Sequence, residues 1–120
     1  MTNPSKAKGT AAETAIVNYL RELGVDAHRH ALHGTQDVGD ILIPGSGVVI
    51  EVKAHRDMAL AAWVDECETE RQNAAARWPG SRVALGIVWH KRRGKGDPRD
   101  CYCTLPGWQM VELLKESGRL

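Results

Sequence analysis

Phenylalanine is absent from the sequence, and the aromatic content is four tryptophans and two tyrosines. A core must therefore rest on aliphatic side chains together with Trp63, Trp78, Trp89 and Trp108, which are expected as core or interface residues. No apolar run approaches the roughly 20 residues needed to span a bilayer. The opening MTNPSKAKGT lacks the apolar segment of a signal peptide, so a cytoplasmic location is expected, the host cytoplasm if the chain is virus-encoded. Cys67, Cys101 and Cys103 are an odd number for such a chain and are read as reduced thiols. A zinc site built on Cys101, Cys103 and His90 stays as the alternative, although it lacks a fourth ligand at recognisable spacing.

Excess charge is also missing. Sixteen basic against fifteen acidic side chains leave +1, too little for a protein that coats nucleic acid by bulk attraction. The distribution is more informative than the sum. Residues 91–99, KRRGKGDPR, hold five basic side chains against one acid, and Lys6 and Lys8 stand near the start. The plain reading of such a run is a solvated loop; the functional one is a set of phosphate contacts.

A chain of 120 residues fits one domain that buries about two-thirds of its unfolded surface. Residues 1–9 are expected as a flexible basic arm and 10–120 as the domain. Helical periodicity runs from Ala11 to Leu23 and stops at Gly24. Strand-like segments follow at 25–32, at DILI and at VVIEVKA, the last two joined by PGSG as a hairpin. Asp57 is a candidate N-cap for a helix running to Trp78, with Leu60, Trp63, Val64, Cys67, Ala74, Ala75 and Trp78 on its buried stripe. RVALGIVWH reads as a strand covered on both faces, CYCTL as another, and WQMVELLKES as a closing helix. The order αβββαββα predicts an α/β domain with a mixed central sheet flanked by helices, because PGSG demands antiparallel neighbours while the long helix permits a parallel crossover.

The hairpin carries the chemistry. With PGSG as its loop, Ile41 faces Ile50 and Asp40 faces Glu51, placing two carboxylates on one sheet face about 5 Å apart. Like charges so placed destabilise a sheet unless a cation or a shared proton compensates. Lys53 shares the face of Glu51. Asp40, Glu51 and Lys53 thus predict a hard-oxygen site suited to Mg²⁺, with an ammonium beside it. The competing reading is a surface Glu–Lys pair on an exposed edge, which the apolar surroundings of Glu51 disfavour.

At these residues the sequence resembles the PD-(D/E)xK nuclease superfamily, whose motif is an aspartate starting one strand and a carboxylate, any residue and lysine on the next. Here the motif is VGD, ten intervening residues, then EVK, with Gly39 where the family usually has proline. KGTAAETAIVNYL with Glu13, and HRHALHGT with Arg29 and Thr35, are similar to the archaeal-type Holliday-junction resolvases and their viral relatives. The likeness covers about residues 8–75. It implies a restriction-endonuclease-like fold and a divalent ion, Mg²⁺ with Mn²⁺ as a substitute, held by Asp40, Glu51, the Val52 carbonyl and Glu13. It implies further that Lys53 orients the attacking water. Glu13 has a second explanation as the partner of Thr10 in a capping box.

The expected function is hydrolysis of DNA phosphodiesters by a homodimeric junction resolvase acting in recombination and repair. A nicking, repair or restriction-type endonuclease of the same fold and a noncatalytic DNA-binding subunit are the alternatives. Lys6, Lys8, Arg29, Thr35, His55, Lys91, Arg92, Arg93 and Lys95 are the expected DNA contacts. Arg71 and Gln72 on the long helix are weaker candidates, Arg71 being read first as a structural ion-pair partner. His28 and His30 are read as a polar strand face.

Overall fold

The computed structural model describes residues 4–30, 37–78 and 85–120. The elements are α1 (Pro4–Glu22), β1 (His28–Arg29), β2 (Ile41–Leu42), β3 (Val48–Lys53), α2 (Leu60–Arg77), β4 (Leu85–His90), β5 (Tyr102–Thr104) and α3 (Gly107–Glu116), with one 3-10 turn at Pro98–Asp100. This is the α/β order read from periodicity. Five strands form one mixed sheet in the order β1-β2-β3-β4-β5. The tight turn after Ile43 makes β2 and β3 antiparallel, with Ile41 facing Ile50, whereas α2 carries the chain across so that β4 lies parallel to β3.

Alternation along β3 divides the core. Ile50 and Val52 pack with Ile16 and Val17 of α1 and with Ala27 and Ile41. Val49 packs on the other face against Val38 and Ala74 of α2, and Trp63 and Cys67 of α2 cover Val88 there. A β-carbon at Gly86 would stand 3.1 Å from Cys67 Sγ, so α2 lies close on β4 because that position is bare. Buried Gln109 ties α3 to the sheet by accepting the Gly86 N–H at 2.9 Å.

Several boundaries differ from the expected ones. α1 begins at Pro4 rather than Ala11, so Lys6 and Lys8 stand on helical turns and not in an irregular arm. Proline suits a first helical turn because the amide it lacks would have no partner there. Thr10 is therefore inside the helix and forms no capping box with Glu13. α2 begins at Leu60 with Ala59 at its N-cap and no side-chain cap, so Asp57 does not serve that role. Packing of Leu60 and Trp63, rather than capping, sets that start. Of the described part of the expected strand 25–32, residues 25–30, His28–Arg29 forms β1, while residues 31 and 32, like Thr35, lie outside the described residues. The zinc alternative fails on register. His90 pairs with Tyr102, while Cys103 pairs with Trp89 and so points to the opposite sheet face. Among the described residues no helix is long and apolar enough to cross a membrane.

Gly39 holds φ +100°, and a β-carbon there would lie 2.4 Å from Val49 Cγ1. Both the backbone and the space require glycine, which accounts for the residue standing before Asp40. Gly45 in the turn also has positive φ, but open space around it. Gly39→Ala is therefore expected to cost about 3 kcal/mol from conformation and overpacking together, and Gly45→Ala about 1 kcal/mol from conformation alone. Urea denaturation midpoints of the two variants test this ordering; equal losses would contradict it.

Candidate metal centre

The β2–β3 ladder breaks at Asp40. Its N–H donates to the Ile50 carbonyl at 2.9 Å, the residue that Ile41 already faces, so two residues of one strand oppose one of the other as in a bulge. The expected direct pairing of Asp40 with Glu51 is replaced by a side-chain contact: Asp40 Oδ2 accepts the Val52 N–H at 2.8 Å. The carboxyls converge all the same, because Asp40 stays within hydrogen-bonding reach of Glu51.

Four carboxyl groups run in a line. Glu13 reaches Asp40, Asp40 reaches Glu51, and Glu51 reaches Glu70 of α2. Arg29 closes one end by donating to Glu13 Oε2 at 3.0 Å from Nη2. Lys53 flanks the line at Glu51, with Nζ 3.6 Å from Glu51 Oε1 and 2.8 Å from Glu66 Oε2. Oxygens of Asp37, Glu51, Glu66 and Glu70 lie within 4.8 Å of one another, a group that could hold a metal ion. Glu51 Oε2 and both oxygens of Glu70 are buried without a hydrogen-bond partner. Buried carboxylate oxygens left without donors are costly unless a proton or a cation satisfies them. An all-oxygen set of this kind suits Mg²⁺, Mn²⁺ or Ca²⁺.

Protonation answers the same problem when no cation is present. Burial first, then the proximity of Glu70, pushes Glu51 up to about 9. Burial first, and then the carboxyl of Glu51, pushes Asp40 up to about 7. Glu70 rises to about 8 through burial and the charges of Asp37, Asp40 and Glu66. Glu13 is raised by burial and by Asp40, against the opposing pull of Arg29. Burial works against the charge of Lys53, but Glu66 and Glu51 outweigh it and hold its pKa above the ordinary lysine value.

Of the expected ligands, Glu51 belongs to the four-carboxylate group, while Asp40 and Glu13 adjoin it along the line; Val52 contributes its N–H to Asp40. Asp37, Glu66 and Glu70 were not anticipated. Asp37 is fixed by the Gly39 N–H on Oδ1 at 2.9 Å and by Asn73 on its carbonyl. Glu70 could have been found from spacing: it lies three residues after Cys67 and four before Ala74, both buried, and an acid at such a position needs a partner. Arg71 turns away to Glu68 at 2.6 Å, the structural pairing expected of it. Gln72 also donates to Glu68 and plays no part in the cluster.

The expected DNA contacts among the described residues stand on α1, β1, the segment after β3 and the β4–β5 connection. Arg29 is engaged by Glu13, His55 packs at a tilt against Trp63 with ring centroids 5.6 Å apart, and Arg92 lies over the Tyr102 ring. Lys91, Arg93 and Lys95 lie on the connection between β4 and β5 and, like Lys6 and Lys8, are exposed. His28 is paired with Asp26 at 2.6 Å. Comparison with known proteins gives no match, whether to a family model, a curated protein or a solved structure.

The raised carboxyls give the metal-free protein a definite pH dependence. Below the ordinary value of 4.5 both folded and unfolded chains hold these protons. Between 4.5 and about 9 the folded chain keeps protons that the unfolded chain has released, so stability falls as pH rises, and the slope ends above about 9. Thermal unfolding in a chelating buffer should accordingly give a melting temperature that declines between pH 5 and pH 9. Glu70→Gln, which can donate to Glu51, should raise stability at pH 8 by on the order of 1 kcal/mol and flatten the slope. A melting temperature that rises through this window would contradict the assignment.

Proposed function

We propose that the protein is a metal-dependent endonuclease that hydrolyses DNA phosphodiesters, with a restriction-endonuclease-like fold and a preference for branched DNA. The observation that carries this reading is the meeting of Asp40 and Glu51 beside Lys53, backed by buried Glu70, whose two oxygens have no donor. The motif VGD–EVK supports it as a resemblance.

A divalent cation bound by these carboxylates would neutralise charge on the phosphate and make water acidic enough to attack at neutral pH. The chain's own groups do the rest. Glu51 and Glu70 present oxygens that cannot turn to other donors, and Asp40 is fixed by the Val52 N–H. Lys53, held between Glu66 and Glu51, brings a permanent positive charge to the phosphate and orients the attacking water. Water adds to phosphorus, the bond to the 3′ oxygen breaks, and that oxygen leaves with a proton. No protein nucleophile is needed: burial pushes the Cys67 thiol up to about 12, leaving it protonated and inert.

Two symmetric cuts in a four-way junction would need two copies of the chain. Trp108, Met110, Val111 and Leu113 on α3 are exposed and give a second copy an apolar face. Asp40→Asn, Glu51→Gln and Lys53→Met should each lower Mg²⁺-dependent cleavage about 100-fold or more while leaving the fold intact. The assay presents labelled junction, duplex, flap and single strand side by side. Paired nicks confined to the junction support a resolvase, cutting of linear duplex supports a repair or restriction role, and binding without hydrolysis supports a noncatalytic subunit. Unchanged turnover in Asp40→Asn would contradict the mechanism.

A further inference from the structure

A cavity of about 310 Å³ opens between α1, the ends of β3 and β4, and the segment leading into β5. Its walls combine Ala12 and Ala15 of α1 with Trp89, and Lys8, Lys53 and Lys91 also line it. No acidic residue is among the described residues of the lining, although the chain carries fifteen acids. Trp89 is fixed there: its indole N–H donates to the Pro98 carbonyl at 3.2 Å, and its ring meets Tyr19 edge-on at 6.2 Å. The volume is at the small end of the range of ligand cavities, about 300–1,000 Å³. Small apolar side chains and a held indole match the faces of a planar base, and the ammonium groups of Lys8 and Lys91, with no acid among the described lining residues, match phosphate.

Lys53 is common to this cavity and to the carboxylate cluster. Val52 and Lys53 point to opposite sides of β3, so a strand crossing the end of the sheet could leave a phosphate at the carboxylates and a base on the α1 side. We propose that this cavity receives a single unpaired nucleotide of the DNA strand whose phosphate lies at the carboxylate site, with Lys8 and Lys91 holding flanking phosphates. The inference rests on the DNA-cleaving reading above and deepens it. It makes an unpaired nucleotide beside the cut the feature that selects substrate, and branched DNA is one source of such nucleotides.

Binding is measured in chelating buffer by fluorescence anisotropy, using two labelled duplexes that differ by one unpaired thymidine, with thymidine monophosphate as competitor. The wild-type protein should bind the duplex with the unpaired thymidine at least about fivefold more tightly, the scale of one stacked base. Ala15→Leu, which fills the cavity, should remove that preference without changing affinity for the perfect duplex. Lys91→Gln, a surface change that leaves packing alone, should weaken binding of both duplexes and lower the salt dependence. Competition by the mononucleotide against the unpaired duplex supports the assignment. A preference that survives Ala15→Leu, or no preference in the wild type, overturns it, as does tight binding of the mononucleotide with none of DNA. Because no cation is needed for these readings, they separate from the catalytic one. Selective binding without hydrolysis in Mg²⁺ refutes only the nuclease, and hydrolysis without selectivity refutes only the cavity.

Discussion

Six carboxyl groups that repel one another are held together where α1, β2, β3 and α2 meet, and among the described residues Arg29 and Lys53 are the cations paired with them. Most of the architecture serves to keep them there. The parallel crossover lays α2 over β3, bringing Glu66 and Glu70 down onto Glu51. The bulge at Asp40, which only glycine at position 39 permits, turns a second strand's carboxyl into the same space. Apolar packing on both sheet faces holds these elements against the repulsion. Such an arrangement would be stable either protonated or bound to a cation, and a change from one to the other would link proton release to metal uptake.

The two faces of β3 carry different chemistry. Glu51 and Lys53 look toward α2 and the acids, while Val52 looks toward α1 and the cavity walled by Trp89. Lys53 borders both. A strand of nucleic acid laid across the end of the sheet would therefore meet negative chemistry that needs a cation on one side and lysines without acids on the other. The near-neutral total charge conceals this separation.

Much of the arrangement was legible in the residues. Period-two and helical patterns gave the element order, and the four-residue turn gave the Ile41–Ile50 register, because hairpin length constrains pairing. Asp40, Glu51 and Lys53 stood out as charges inside apolar runs. The bulge was not legible, since it arises from the backbone of Gly39 meeting Val49 across the strands, a contact between residues ten apart. The α2 acids were hidden for a different reason. The buried stripe passes between positions 70 and 71, and periodicity alone did not say that Glu70 would turn inward while Arg71 left for Glu68. The early start of α1 was missed because the Thr10–Glu13 pattern imitates a cap.

The central claim is that the carboxylate cluster exchanges protons for a divalent cation. Calorimetric titration of Mn²⁺ at pH 7.5, repeated in buffers of different ionisation enthalpy, measures this directly. The account predicts saturable binding with net proton release, both lost in Glu51→Gln. Binding with no buffer dependence, or no binding at millimolar Mn²⁺, would contradict it.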